Sequence, residues 1–392
     1  MLYFAPFYAS GHHAFYLREV VKAAGVAARP LIVASSYELI DQMGGLSFDR
    51  VKFCALSERE LRRCSHRNLV LRGLWQLLDG ERNARLQNEG GVFHSWLDQA
   101  LLPVALGLAR MPLSGIWFRV PSLPVLRWPS YRRILYRMAF ARKNLERVYV
   151  LDATVADALR AEEWTRGKIS YLPEPIDFTT GDAPTEIRNV VDCARREGRR
   201  IFAIIGALKP RKKGIEQVLD AIELLPEGIC RLFLLVIAGS FESADFKEDC
   251  CKRVASLKDS HKGIHILILD RRLSDQEFIG VIDEADCILL TYNGNYRGSS
   301  GVLVQAAARG IPVIASNKDV VGRITSEKKL GRVVDPDDVA AVAEIIRTDI
   351  LTPFVVDSRQ HREFINPLRM NRFGEIIIRR AGDVAGEGSG RR

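Results

Sequence analysis

Two short stretches place residues able to hold a phosphate at the ends of apolar runs. In GALKPRKKG (206–214), Lys209, Arg211, Lys212 and Lys213 follow the run IFAII and precede a helical pattern. In the other, Gly294, Gly298 and Gly301, with Ser299 and Ser300, follow DCILLTY (286–292) and open a helix whose Val302, Leu303, Ala306 and Ala307 recur on one face. A glycine- and serine-rich turn feeding a helix N-terminus aims unpaired backbone N–H groups and the positive end of the helix dipole at one point, which suits an anionic oxygen. Cations from a neighbouring strand would meet a diphosphate from its other side and stabilise its departure as a leaving group. Taken alone, the turn is equally an ordinary β–α connection and the cationic loop equally a solvated one.

Such an arrangement needs both stretches at the same edge of one parallel sheet. The second half of the chain supplies the pattern. IFAIIGAL (201–208), LFLLVIAGS (232–240), IHILIL (264–269), DCILLTY, PVIAS (312–316) and GRVVD (331–335) alternate with helical periods, which predicts a doubly wound α/β sheet. The first half opens the same way, with LYFAP (2–6), a helix over AFYLREVVKAAG (14–25) and a strand in RPLIVASS (29–36). Residues 46–90 carry no clean period; GGVFHSW, GIWFRVPS (115–122), RVYV and KISYLPEPIDF (168–178) then resume the strands. The polar segment 179–198 reads as a linker, and all five tryptophans precede it. The expected division is 1–185 and 186–357, with a helix over 358–380 and a disordered tail at 381–392, where AGEGSGRR has nothing to bury.

In the first half, Gly11, His12, His94 and Arg119 each fall at or just beyond the end of an expected strand, where ligands of open α/β sheets gather. A plain tight turn at Gly11 and a packed histidine beside Phe93 and Trp96 are the alternatives. The segment 126–150 interleaves Arg132, Arg133, Arg137, Arg142, Lys143 and Arg147 with apolar side chains, a pattern that fits either an anionic membrane surface or a solvated helix face.

At 392 residues the chain exceeds what one core usually supports, and 47% hydrophobic with 27% charged residues is ordinary globular composition. A formal net charge of +9 favours an anionic partner. Seven scattered cysteines without a CxxC pair read as reduced structural thiols. No apolar run reaches the roughly 18 residues that would cross a bilayer, and MLYFAPFYASG reads as a first strand, so the expected location is cytoplasmic.

GALKPRKKGIEQVLDAI (206–222), LPEPID (172–177), the stretch 291–316 and GRVVDPDDVAAVAEII (331–346) resemble the retaining glycosyltransferases of GT-B fold, the glycosyl transferase group 1 family. The resemblance implies an α/β protein of two Rossmann-like domains facing a cleft, with the C-terminal helix crossing back to the first domain. It implies a hexosyltransferase of polysaccharide biosynthesis that moves a sugar from a nucleoside-diphosphate sugar to a glycan or lipid-linked acceptor, with no metal or other cofactor required and no nucleic acid as partner. Peripheral contact with an anionic membrane, at its inner face, goes with such an acceptor. The donor-binding residues would be Gly206, Arg211, Lys212, Lys213, Ser299, Ser300, Gly301 and Gln305. His94, Arg119 and Lys213 would be catalytic, with Gly11 and His12 on the acceptor side. The chain also departs from the family: Arg297 and Gln305 stand where two glutamates spaced E-x7-E are usual, Ala207 replaces an arginine, and Arg119 stands in the region of a usual histidine. A relative that binds a nucleotide or glycan without transfer is the alternative these departures raise.

Overall fold

The computed structural model describes residues 2–7, 13–43, 46, 48–118, 120, 130–176, 179–210, 213–293, 300–318, 320–369 and 372–387. The chain divides into two compact units, Met1–Pro175 with Met370–Arg392, and Ile176–Arg369.

The first unit holds β1 (Leu2–Ala5), β2 (Leu31–Ser35), β3 (Val51–Ala55), β4 (Val92–His94), β5 (Leu113–Ile116), β6 (Leu145–Val150) and β7 (Ile169–Tyr171). They pair in parallel in the order β3-β2-β1-β4-β5-β6-β7. The second holds β8 (Arg200–Ile205), β9 (Phe233–Gly239), β10 (His265–Asp270), β11 (Cys287–Leu290), β12 (Val313–Ser316) and β13 (Gly331–Val334). Their order is β10-β9-β8-β11-β12-β13, again parallel. Helices cover both faces, so alternate strand residues enter separate cores. Ile201, Ala203 and Ile205 pack with Leu234 and Val236, while Phe202 and Ile204 pack with Phe233 and Leu235. In each sheet the order reverses next to the first strand, between β1 and β4 and between β8 and β11. That reversal opens a crevice at the strands' C-terminal ends.

Residues 46–90 form β3 and two helices, Glu58–Cys64 and Leu69–Leu86. Ser57 and Glu60 cap the first reciprocally, and Asn68 caps the second. The longer helix shows no apolar stripe because it buries Gln76, Asp79 and Glu81. Asp79 accepts from Arg63 at 2.7 Å, and Glu81 accepts the backbone N–H groups of Arg110 and Met111.

Three expected boundaries move. The units part at 175/176 rather than 185/186, because residues 181–183 pack on the Asp275–Asp283 helix: Gly181 donates its N–H to Asp283, and a Cβ on Gly280 would stand 2.1 Å from the nitrogen of Ala183. The described parts of the expected C-terminal helix are Arg359–Arg369, which contains Pro367, and Arg372–Glu387, with 370 and 371 outside the described residues. The latter takes in 381–387, expected to be disordered, since propagating a formed helix adds one hydrogen bond for each residue fixed. Among the described residues of the basic segment 126–150, the helix runs over Ser130–Ala141, and Arg147 lies in β6; residues 126–129 lie outside the described residues.

The Arg372–Glu387 helix lies close on His13–Val26: a Cβ on Gly374 would meet the Glu19 carbonyl oxygen at 2.2 Å. Phe373, Ile377 and Ile378 thereby complete the first unit's core. Phe373→Ala is expected to cost about 3–5 kcal/mol, read as a lower chemical-denaturation midpoint for the first unit.

Candidate functional site

The crevice of the second sheet is built from glycines that let three strand ends approach one another. Gly206, after β8, has φ +106° and donates its N–H to the Ala238 carbonyl at 3.0 Å. Gly239, the last residue of β9, has φ +147°, and a Cβ there would stand 1.8 Å from the Gly206 carbonyl oxygen. Gly214, at φ +68°, begins the Ile215–Glu223 helix, and a Cβ on it would fall 2.0 Å from the Thr291 carbonyl oxygen, just past β11. The loop after β8 is thus drawn across the end of β11.

This path turns Lys213 inward. Its Nζ donates to the Ile205 carbonyl at 3.1 Å and to the Tyr292 hydroxyl at 3.2 Å, and stands 4.7 Å from the centroid of the Tyr292 ring. The Tyr292 hydroxyl is 3.1 Å from Ser300 Oγ, which accepts the Leu303 N–H and so caps the Gly301–Ala308 helix. Contacts therefore run without a break from the end of β8 to the N-terminus of the helix that follows β11. Among the described residues no carboxylate pairs with Lys213, and burial lowers its pKa to about 8. Lys209 is an exposed cation already paired with Glu242. A buried ammonium with only neutral partners, beside a helix N-terminus, is arranged to receive an anion.

Residues 199–350 match the family model of glycosyl transferases group 1. The matched segment spans all six strands of the second sheet. No curated protein sequence matches the chain. Among solved structures, Anabaena HepE in complex with UDP matches with a TM-score of 0.66 at 12% identity, covering 98% of this chain and 99% of that one. A glycosyltransferase from Rickettsia africae matches at 0.67 and 15% identity, and sucrose-phosphate synthase from Thermosynechococcus elongatus at 0.65 and 16%, each covering 98% of both chains. At these identities the likeness establishes the fold, which is the two-domain α/β GT-B fold.

Of the residues expected in the donor site, Gly206, Lys213, Ser300 and Gly301 come together at the β8/β11 crevice. Gln305 lies one turn on and is buried. Its Oε1 accepts from Arg309 at 2.9 Å, and its amide nitrogen makes no hydrogen bond among the described residues. Arg211, Lys212, Ser299 and Arg297 lie outside the described residues, as do Gly11, His12 and Arg119 of the acceptor side. Among the described residues, no group of His, Cys, Asp or Glu could hold a metal ion.

The expectation that His94 lines a cavity is corrected. Strand alternation turns its ring into the core, where it is 1% exposed, edge-on to Phe4 at 5.6 Å and against Gly80 of the Leu69–Leu86 helix. Burial lowers its pKa to about 4, so the ring is neutral, and Nε2 has no hydrogen-bond partner among the described residues.

Tyr292, Gly239 and Gly214 were missed, although the first two end apolar runs and could have been read as strand-end residues. Near the end of the first sheet's strands, Phe7 packs on Trp96 at 5.7 Å, Trp96 on Phe118 at 5.0 Å, and Phe118 on Tyr16 at 5.9 Å. The Tyr16 hydroxyl donates to Glu174 Oε1 at 2.6 Å, while the buried Glu174 Oε2 has no partner. Glu174 follows β7 between two prolines, a rigid placement that its sequence context signals.

Lys213 binds fewer protons folded than unfolded between its pKa of about 8 and the ordinary lysine value of about 10.4. Stability should therefore rise with pH through that window, and the penalty of the buried charge is in full force below it. Lys213→Met should flatten this rise and be about 2–3 kcal/mol more stable at pH 7, as measured by denaturation at a series of pH values.

Proposed function

We propose that the chain is a retaining glycosyltransferase that moves a hexosyl group from a nucleoside-diphosphate sugar to a glycan or lipid-linked acceptor. The observation that carries this reading is the buried, carboxylate-free Lys213 beside the capped N-terminus of the Gly301–Ala308 helix. The diphosphate lies across that crevice, and the Gln305 amide donates to a ribose oxygen. A UDP donor follows the ligand of HepE, which has been solved with UDP-glucose, and of an Escherichia coli protein bound to UDP-2-fluoro glucose.

In the reaction, the bond from the anomeric carbon to the phosphate oxygen breaks, and the bond to the acceptor oxygen forms on the same face. The departing phosphate oxygen accepts the acceptor's proton, so no strong protein base is needed. Negative charge gathers on the leaving diphosphate, where the Lys213 ammonium and the helix N-terminus stabilise it. His94, neutral and enclosed, takes no part. The acceptor is taken by the first unit, where the aromatic faces of Trp96 and Phe118 suit a sugar ring.

One observation favours a second reading, nucleotide binding without transfer: Gln305 cannot accept as a carboxylate does, because Arg309 already occupies its oxygen. Turnover separates the two. With UDP-glucose and a panel of glycan acceptors, transfer is expected with the product's anomeric configuration retained, as read by NMR. UDP binding without transfer or donor hydrolysis under any acceptor condition would favour the second reading. A charge-assisted contact contributes roughly 1.5–3 kcal/mol, so Lys213→Ala should weaken UDP binding by about one to two decades. Binding should also raise the Lys213 pKa and take up as much as about half a proton at pH 8. Titration calorimetry in two buffers of different ionisation enthalpy measures that uptake.

A further inference from the structure

At the opposite edge of the first sheet, before β5, lies an open pocket of about 330 Å³ lined by Leu78, Glu81, Arg82, Arg85, Leu86 and Arg110. Glu81 is 3% exposed and fully engaged: Oε1 accepts the N–H groups of Arg110 at 2.6 Å and Met111 at 3.1 Å, and Oε2 meets Arg85 at 3.3 Å. The carboxylate pins the Arg110 loop to the Leu69–Leu86 helix, so the pocket is shaped in advance. Three arginines line the pocket beside this one carboxylate, and only Arg85 pairs with it through its guanidinium among the described residues. Arg82 and Arg110 make no side-chain hydrogen bond or ion pair among the described residues, although Arg82 extends its field to Glu60 and Asp79.

The surroundings are apolar and exposed. Leu71, Leu78 and Leu86 lie on the same helical stripe as Arg82 and Arg85, at intervals of three, four and seven, and are 41%, 37% and 65% exposed. Leu106 and Leu108, on the loop that carries Arg110, are 56% and 41% exposed. Leucines left in water among guanidinium groups that can reach outward on long stems form an interfacial surface.

We propose that this face docks on an anionic bilayer, one lipid phosphate entering among Arg82, Arg85 and Arg110 while Leu78 and Leu86 meet the acyl boundary. A free phosphate would engage the arginines and leave the leucines hydrated, whereas a bilayer engages both. The leucine–arginine face is distinct from the donor crevice, and the proposal does not depend on which sugar is transferred. No described helix is long and apolar enough to cross a membrane, so the contact is peripheral.

The test is co-sedimentation of the full chain with phosphatidylglycerol vesicles and with phosphatidylcholine vesicles. Binding to the former only, weakened by salt, is expected. An arginine near an anionic surface contributes about fivefold, so R82A/R110A should lower partitioning by roughly 20-fold. Leu78→Ser/Leu86→Ser should lower it while arginine-dependent phosphate contact persists. Unchanged UDP affinity and melting temperature in these variants will show that the fold is intact. The proposal is overturned by equal binding of native chain and R82A/R110A, or by equal binding to both vesicle types. It is also overturned if inorganic phosphate binds but vesicles do not, or if only Ile134→Ser/Arg137→Ala, on the Ser130–Ala141 helix, abolishes sedimentation.

Discussion

An ammonium group buried with no counter-ion among the described residues is the constraint to which the second unit is fitted. The contrast lies within one strand. At the start of β8, Arg200 donates to Asp349 at 3.0 Å and to the Asp286 carbonyl at 3.3 Å, and the cation is satisfied by the protein itself. Just past its end, Ile205 and Tyr292 give Lys213 only dipoles. A carboxylate there would stabilise the empty protein and cancel the attraction for an anion. The glycines at 206, 214 and 239 maintain the arrangement, because any side chain on Gly214 or Gly239 would push the strand ends apart and let water in around the amine.

Both sheets use the same topological device with different chemistry at its mouth. Beside β8 the crevice is lined by cation, hydroxyl and helix terminus, which suit phosphate. Near the strand ends of the first sheet stand stacked rings and a carboxylate with one free oxygen, which suit a polyol. The first sheet in turn depends on residues from the far end of the chain, since Phe373 packs on Tyr16 with ring centroids 4.9 Å apart and Tyr16 positions Glu174. The C-terminal helix therefore supports the placement of Glu174 as well as a core.

The sequence made the second unit legible because strands buried on both faces read as unbroken apolar runs, and helices with apolar stripes separate them. It hid residues 46–90 because a helix that buries Gln76, Asp79 and Glu81 carries no such stripe. At the candidate site, the order of glycines and cations pointed to the loop whose Lys213 stands beside the Gly301–Ala308 helix N-terminus. Which of the consecutive cations turns inward depends on a left-handed φ at Gly214 and on the ring of Tyr292, and neither is visible in composition. His94 failed for a reason of parity: neighbouring positions on a strand face opposite sides, and its register beside Phe4 sends it beneath the Leu69–Leu86 helix. A single-residue step decides between core and crevice.

The amide at position 305 follows from the same electrostatic accounting. Besides the Gln305 side chain, Arg309 donates to Asp283 at 2.6 Å, to the Thr179 carbonyl at 3.0 Å and to the Gln305 backbone carbonyl at 3.4 Å. A glutamate at 305 would pair with this guanidinium and, under the proposed function, add a negative charge to the site where Lys213 would attract the diphosphate. An amide satisfies Arg309 through its oxygen and still presents two N–H donors, so the ribose hydroxyls become acceptors rather than donors. Under the proposed function, nucleotide recognition would rely on donors throughout, from the lysine, the helix N-terminus and the amide alike. That makes the site more selective for anionic, acceptor-rich ligands than a carboxylate at 305 would.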